Sequence, residues 1–555
     1  MKHALSRLAT WTLLFVLAFT VAYFFLTHEG LYALDDYFYS RYAHQLLSGT
    51  FRVEPDPLGL LHDPLKERPL IYGPVAGLYA LLGINIISTT LWPLLATLGC
   101  AVVIWRLYGR REPVVAAGAM LLLGLHYFTL NLTNYLYPDN ILMFWCLCCA
   151  AALLEGRRQV RPGRWGLLFA GLNFAALLSK ETIIYYLPFY LGVLALDLLR
   201  GRHRRLWAVA VGTGAVLLLA YLAFYQVFTH DALYRLHLIE RTNEFLKDGN
   251  YLLGNRAALV ARLTWQPLTF FVSIGLGPML VLAGIAAERP AARGAAKTGT
   301  APDQRFWLAL AGSTLVLYWL GSTSFSQYNP ITLLPRMTTP LLPPLALAAG
   351  FGLRRLLGVG AAGRAIVVGL VLLGCAAWLR NSLSIVYGGL GLYWLAVGLG
   401  PRLRRWPAVL APGSVGLAGL TLLVLAVCLA LRPAYFMRKP TVSSHFAQER
   451  VLRQHLMGPG ARGVVLVDDY LIGNYDFYYG YQVPPTLRYR RFWARDSVQL
   501  AAGERAWLLL NRSTLTNDEL TRKLIRYSPD SVLTWYPRRR LVAQDGQVSL
   551  FEVRW

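Results

Sequence analysis

The chain has 555 residues, 56% of them hydrophobic and 15% charged. A soluble domain carries about 45–50% apolar and about 25% charged residues, so that class is excluded and a polytopic membrane protein is expected. The 54 Lys and Arg against 29 Asp and Glu give +25, an excess that in a membrane chain belongs to loops on one face and not to a nucleic-acid partner.

The first apolar run, Leu8–Leu26, follows a basic start and has no convincing small-residue cleavage site, so it reads as an uncleaved first helix with its N-terminus cytoplasmic. A loop crowded with charge and aromatics follows, 27–69, and then apolar runs at roughly 85–105, 113–128, 139–154, 166–178, 182–199, 206–228, 266–286, 306–320, 338–352, 365–378, 385–398 and 408–431. With the first run this makes about thirteen spans by length and apolarity. Arg106, Arg110 and Arg111, Arg157 to Arg164, Arg200 to Arg205, Arg354 and Arg355, and Arg402 to Arg405 sit in alternate loops. The positive-inside rule places those loops in the cytoplasm and the 27–69 loop outside, and an odd count sends the C-terminus outside as well. The stretch 286–304 is rich in Ala, Gly, Pro and Thr and reads as a connector. The six cysteines, Cys100, Cys146, Cys148, Cys149, Cys375 and Cys428, lie in apolar runs, where thiols are buried and not bridged. From about Arg432 the composition becomes that of a soluble domain: Gly463–Val467 and Ala506–Leu510 read as buried strands, Asn517–Tyr527 as a helix and Val548–Val553 as a closing strand. The expected architecture is an all-α polytopic domain, residues 1–431, with its catalytic loop at 27–69, and an extracytoplasmic small α/β domain, residues 432–555.

Chemistry-bearing residues cluster at the expected outer ends of the spans. Asp35 and Asp36 open a short amphipathic segment directly after the first span. A carboxylate within hydrogen-bond reach of a hydroxyl can act as general base, although Asp is also favoured where a helix begins. Asp139 follows Pro138 at the outer start of the fourth span, a position that also signals a helix start. Lys180 and Glu181 form a charged step between apolar runs. Neighbours one residue apart do not face each other on a helix, so these two need not pair, and a snorkelling lysine is the bland alternative. Arg336 precedes Pro340, Pro343 and Pro344, and an arginine there can hold a phosphate bidentately. Asp35, Asp36 and Asp139 on one face, with the cations Arg68, Lys180 and Arg336, suit transfer from a lipid-linked phosphate donor: cations hold the leaving phosphate and a carboxylate activates the incoming hydroxyl. Tyr37, Tyr72 and Glu181 are candidate acceptor contacts. In the outer domain, Asp468 and Asp469 follow a strand, and Tyr475, Phe477, Tyr478, Tyr479 and Tyr481 form an aromatic cluster that could stack on sugars or pack as ordinary core. No His/Cys/Asp cluster has metal-ligand spacing, so no metal or cofactor is expected.

The order of these motifs resembles that of the GT-C superfamily of membrane glycosyltransferases, in the branch containing the lipid A aminoarabinose transferases and the protein O-mannosyltransferases. The resemblance rests on the acidic pair Asp35-Asp36 and the stretch from Tyr42 to Gly49. It continues with the basic-Pro segment Arg68-Pro69 leading into an apolar run, with Asp139, with the Lys180-Glu181 step, and with Arg336 followed by prolines. It implies a GT-C fold and an inverting transfer from a polyprenyl-phosphate sugar to a hydroxyl of a lipid, glycan or protein, on the outer face of a bacterial inner membrane. By the same resemblance Asp35 is the base, Asp139 the second acid, and Lys180 and Arg336 the contacts to the polyprenyl phosphate. Membrane lipid, the lipid-linked donor and the acceptor are the implied partners, with no nucleic acid. Two other readings stay open: a transporter or flippase of lipid-linked sugars, against which stands the lack of an internal repeat, and a non-catalytic membrane scaffold.

Overall fold

A run of apolar residues in a bilayer must satisfy its backbone hydrogen bonds within itself, which makes it a helix. The computed structural model describes residues 2–31, 34–53, 66–159, 161–245, 256–288, 301–324, 326, 328–402, 407–438, 444–458, 460–469, 471–516 and 527–554. In chain order the helices are α1 (Lys2–Thr27), α2 (Leu34–Leu47), α3 (Pro69–Leu82), α4 (Ile86–Tyr108), α5 (Pro113–Gly124), α6 (Tyr127–Asn131) and α7 (Pro138–Gly156). Next come α8 (Pro162–Ser179), α9 (Leu187–Leu199), α10 (Arg204–Thr229), α11 (Tyr234–Phe245), α12 (Arg256–Leu263), α13 (Gln266–Ser273) and α14 (Gly277–Ala287). Then come α15 (Ala301–Leu320), α16 (Leu342–Leu356), α17 (Ala362–Trp378), α18 (Leu383–Leu399), α19 (Val415–Arg438) and α20 (Ser444–His455), and two short helices in the C-terminal part, α21 (Arg512–Thr516) and α22 (Pro529–Trp535). Proline within the first two positions starts α3, α5, α7 and α8, where its missing N–H is not needed and its fixed φ suits the helix. Asn85 and Ser88 form a reciprocal capping box at the start of α4.

The chain is a multi-pass membrane protein, but the count of thirteen spans is not reproduced. Among the described residues six helices are long and apolar enough to cross a bilayer, or up to eight if each of two bent pairs is one span. Two bends make part of the difference, and helices too short for a full span make another part: Leu342–Leu356, Ala362–Trp378 and Leu383–Leu399 have only 15, 17 and 17 residues. The expected span 113–128 breaks after α5 and turns by 63° into the short helical stretch 127–134, and the expected span 266–286 breaks between α13 and α14 by 111°. Each break has a polar anchor. The ring of buried His126 bonds the carbonyl of Ile274 at 3.1 Å, joining the two kinks, and Gly275 takes φ +95° there, a backbone state glycine adopts without strain. The connector expected at 286–304 falls mostly on residues 289–300, and the helix expected at 517–527 mostly on 517–526, outside the described residues.

The C-terminal part carries a five-stranded sheet. Its strands are β1 (Gly463–Val467), β2 (Leu487–Arg491), β3 (Arg505–Asn511), β4 (Arg539–Asp545) and β5 (Val548–Val553). Their order is β2-β1-β3-β5-β4, with β1 parallel to β2 and β3, and β5 antiparallel to β3 and β4. All five residues of β1 are buried, as expected of a strand covered on both faces. Alternate residues serve two separate cores: Val465, Val467, Trp507 and Leu509 pack under α20, and Val464, Leu466, Leu508 and Leu510 pack on Phe492, Val532 and Tyr536. The helix and strand content and the small C-terminal sheet agree with the expected fold class.

Candidate active site

The first turn of α2 carries both Asp35 and Asp36, where the helix dipole favours carboxylates. Successive residues on a helix point about 100° apart, so the pair splits: Asp36 is fully buried, while the Asp35 side chain keeps 32% of its surface exposed. Asp35 Oδ2 lies 3.7 Å from Nη1 of Arg336, itself 35% exposed. Arg336 sits on the short 3-10 turn Pro335–Thr338, with its guanidinium over the ring of Tyr137 at 5.0 Å.

Tyr137 directly precedes α7, whose first turn brings in Asp139. Asp139 is buried and accepts a 2.7 Å hydrogen bond from Lys180 Nζ, which also lies 3.5 Å from Met337 Sδ, beside Arg336. The next residue, Glu181, turns away from Lys180 as neighbours do and takes two other cations. Arg68 Nη2 donates to both its oxygens at 3.2 Å, and Arg235 Nη2 donates to Oε2 at 2.7 Å. Arg68 Nη1 donates to the hydroxyl of Tyr39 at 3.0 Å, one helical turn after Asp35. The contacts therefore close a ring: Asp35, Arg336, Met337, Lys180 (against Asp139), Glu181, Arg68, Tyr39 and back to Asp35. Burial opposes the charge on Arg68, but Glu181, Tyr39 and Glu67 outweigh it and hold the guanidinium protonated; Arg235 is held the same way against burial, chiefly by Glu181.

Tyr39 and Met337 of the ring, and Arg235 bound to its Glu181, were not singled out in the sequence, and two expected residues are elsewhere. Tyr72 is buried and donates its hydroxyl to the carbonyl of Lys66 at 2.6 Å, against Tyr42 and Phe51; it offers nothing to an acceptor. Tyr37 faces the C-terminal part, with its hydroxyl 2.9 Å from Tyr478 Oη and 3.1 Å from His445 Nδ1. The aromatic cluster at 475–481 is likewise packed, with Tyr475, Tyr479 and Tyr481 half-buried. Tyr475 stacks on Tyr489 at 3.7 Å, Phe477 and Tyr478 are buried, and Tyr481 bonds Ser40 Oγ at 2.7 Å and stacks on His44 at 4.4 Å. These contacts grip α2, and Ser40 Oγ ties the two parts together, since it also bonds Tyr79 of α3 at 2.6 Å. Gly30 (φ +83°) closes the fit: a Cβ there would meet the His445 ring at 2.5 Å. Asp468 accepts the backbone N–H of Leu471 at 2.7 Å and so completes a turn, and Asp469 accepts from Tyr527 at 2.7 Å and pairs with Arg491 at 2.8 Å across the fold.

Beside the ring lies an apolar cavity of about 560 Å³ between α8, α9, α10 and α11. Phe169, Phe174, Leu191, Trp207 and Leu218 line it, and Glu181 and Arg235 are the charged residues in its wall. Leu191, Leu218 and Leu236 of its wall are exposed at the perimeter, so the cavity opens at the depth where lipid lies.

No protein-family model matches the chain, and no curated protein matches it in sequence. Solved structures do match in shape. ArnT from Cupriavidus metallidurans, bound to undecaprenyl phosphate, superposes with a TM-score of 0.52 at 15% identity over 98% of each chain, and its apo state with 0.52 at 16% over the same shares. The oligosaccharyltransferase AglB from Archaeoglobus fulgidus, in complex with an inhibitory peptide and a dolichol-phosphate, is a weaker likeness, 0.47 at 12% over 97% of this chain and 74% of its own. At these identities the likeness is one of fold, and it runs the whole length of ArnT, helices and C-terminal sheet together: the chain has the GT-C fold.

Proposed function

We propose that the protein is an integral membrane glycosyltransferase that moves a sugar from a polyprenyl-phosphate donor to an acceptor hydroxyl, with inversion, on the extracytoplasmic face of a bacterial inner membrane. The observation that carries this reading is the junction of two chemistries at Glu181 and Arg235: an apolar cavity open at lipid depth ends on the same ring of charged groups that holds Asp35. A long isoprenoid fits the first and a phosphodiester the second.

In the proposed reaction the tail lies in the cavity and the phosphate is held by Arg235, Arg68 and Arg336. Asp35 takes the proton of the acceptor hydroxyl as that oxygen attacks the anomeric carbon. The bond from that carbon to the phosphate oxygen breaks, and the electron pair leaves with the polyprenyl phosphate. The dianion formed carries one more negative charge than the donor, and fixed guanidinium groups stabilise it more than the ground state. Asp139 and Lys180 form the buried support under Arg336 and do not meet the phosphate; Glu181 spaces the two arginines. Tyr37 and Tyr72 have no part in acceptor binding. The reading assigns no step to a metal or cofactor. Residues 1–431 would carry the reaction, and 432–555 would hold α2 from outside.

The test is to supply purified protein with radiolabelled polyprenyl-phosphate sugars and membrane extract and to follow the label. Transfer is expected from at least one donor, and Asp35→Asn is expected to purify normally and to lose about 10²–10⁴-fold in rate, the range for a general base. Unchanged transfer by Asp35→Asn would remove the proposed base. Wild-type protein that moves the intact lipid-linked sugar across a bilayer but never transfers it would instead be a flippase.

A further inference from the structure

The C-terminal sheet gathers arginines at one end. Strands β1, β2, β3 and β4 start there and β5 ends there, because Gly463 pairs with both Leu487 and Arg505, and Val553 pairs with both Ala506 and Arg539. Register therefore sets Arg488, Arg462, Arg505, Arg554 and Arg538 side by side along the rim, with Arg539 and Arg540 behind the last. Backbone bonds confirm the adjacency: Arg505 N–H donates to Arg462 C=O at 3.2 Å and Arg554 N–H to Arg538 C=O at 3.0 Å.

Three of these side chains have internal partners. Arg488 pairs with Glu504 and Arg540 with Glu552, and Arg539 donates to the carbonyls of Leu533 and Tyr536. Arg462, Arg505, Arg538 and Arg554 are exposed and have no ion pair among the described residues. They stand on or beside four consecutive strands, β1, β3, β5 and β4, whose spacing is about 4.8 Å. That is inside the screening length of about 8 Å at physiological salt, so the four charges repel one another, and like charges facing across strands destabilise a sheet.

We propose that this arginine rim binds a polyanionic glycan, a chain of sugars bearing carboxylate or phosphate groups. A row of like charges is relieved best by a row of opposite ones, and guanidinium forks match carboxylate and phosphate geometry bidentately. Single-stranded nucleic acid calls for aromatic platforms beside the cations, and no exposed aromatic side chain is present on the rim among the described residues. The membrane around the chain's own helices does not reach it. The far end of β1 continues into 468–481, the segment that seats on α2, so the rim points the other way. The proposal rests on electrostatics and topology and is independent of the transfer chemistry.

The experiment uses full-length protein in neutral-lipid nanodiscs and fluorescent polygalacturonate, with uncharged dextran as control, at 0.05 to 0.3 M salt. Salt-sensitive binding to polygalacturonate, none to dextran, and at least a tenfold weaker affinity in Arg462→Gln/Arg505→Gln/Arg538→Gln/Arg554→Gln are expected. A control, Arg450→Gln/Arg453→Gln on exposed α20, is expected to bind as wild type, and Arg→Lys at the four rim positions to retain part of the affinity. Equal weakening in rim and control variants, or no binding by wild type at low salt, overturns the proposal, and so does single-stranded DNA that competes at equal charge. Asp35→Asn must bind the probe as wild type, so a failure of the transfer reading and a failure of the rim are told apart.

Discussion

The two faces of the helical bundle both carry networks of charge, and they are built to different degrees of completion. On the face away from the sheet, Arg157 bonds Asp197 at 2.7 Å while Trp207 Nε1 donates to the other oxygen of Asp197 at 3.0 Å. Nearby, Arg158 joins Glu155 and Asp303, Asp303 accepts from Tyr108 at 3.1 Å, and Tyr108 accepts from Trp307 at 2.7 Å. Asp197 and Asp303 are both buried. On the face beneath the sheet, Asp139–Lys180 has the same character, but Asp35 and Arg336 stand 3.7 Å apart, each about a third exposed. A buried carboxylate saturated by its fold has no capacity left for a substrate. A half-open one, held only by long-range attraction, does. The difference between the faces is thus one of saturation and not of residue type.

The largest expected effect comes from the most buried ion pair described on the sheet side, which resembles those of the other face. Lys180→Met leaves the Asp139 carboxylate buried and uncompensated, which costs about 3–5 kcal/mol; the variant should fail to purify as a monodisperse species. Adding Asp139→Asn should restore much of the loss, since a neutral amide replaces the orphaned charge, while donor turnover stays impaired because the support under Arg336 is altered. A stable, fully active Lys180→Met protein would break the distinction between the saturated and the open pair.

A smaller effect is expected across the membrane. Arg157→Gln removes a charge-assisted bond from Asp197, worth about 1.5–3 kcal/mol, and the lower end of that range is appropriate because Arg157 is 29% exposed. Thermal unfolding in detergent should shift down, with transfer per folded molecule unchanged. A selective loss of turnover with unaltered stability would place function on the face assigned a structural role.

Much of this arrangement was legible in the sequence, for physical reasons that also explain what was not. Pro138 announces a helix start because its fixed φ suits the first helical position and its missing N–H is not needed there, although Pro74, Pro93 and Pro433 lie inside helices and give no such signal. Asp35, Asp139 and Arg336 stood out because ions at the end of an apolar run are costly. The kinks at 125–126 and 274–276 were invisible, since a bent pair of helices has the same apolar composition as a straight span. Arg235 lies in an amphipathic stretch with no motif of its own. The clue to it was indirect: Glu181 need not pair with Lys180 beside it, and a half-buried Glu181 then calls for cations from elsewhere. Adjacency to Arg68 in sequence says nothing about the direction of Tyr72 on α3, and its ring packs with Tyr42.

The smallest effect concerns how firmly the sheet domain holds α2, and hence Asp35. His445 lies between Tyr37 and Tyr478, packed against Gly30, and burial lowers its pKa to about 3; His28, half-buried nearby, is lowered by desolvation to about 4. The tyrosine phenols beside His445 are pushed up by burial and stay neutral, so they offer it no counter-charge. Both imidazoles are thus neutral in the folded state and bind a proton near pH 6.5 when unfolded. Below that value the unfolded state takes up more protons, and stability falls with pH until the folded groups titrate near 4 and 3. Each histidine contributes at most about 1.4 kcal/mol per pH unit in that window. Protease release of the C-terminal domain should therefore speed up between pH 7 and pH 5, and the slope should roughly halve in His445→Gln even if that variant starts from a lower stability. A pH response identical in His445→Gln and wild type would mean that the grip on α2 does not depend on a neutral ring at that position, and the link from the C-terminal sheet to the open carboxylate would have to run through Ser40, Tyr481 and His44 instead.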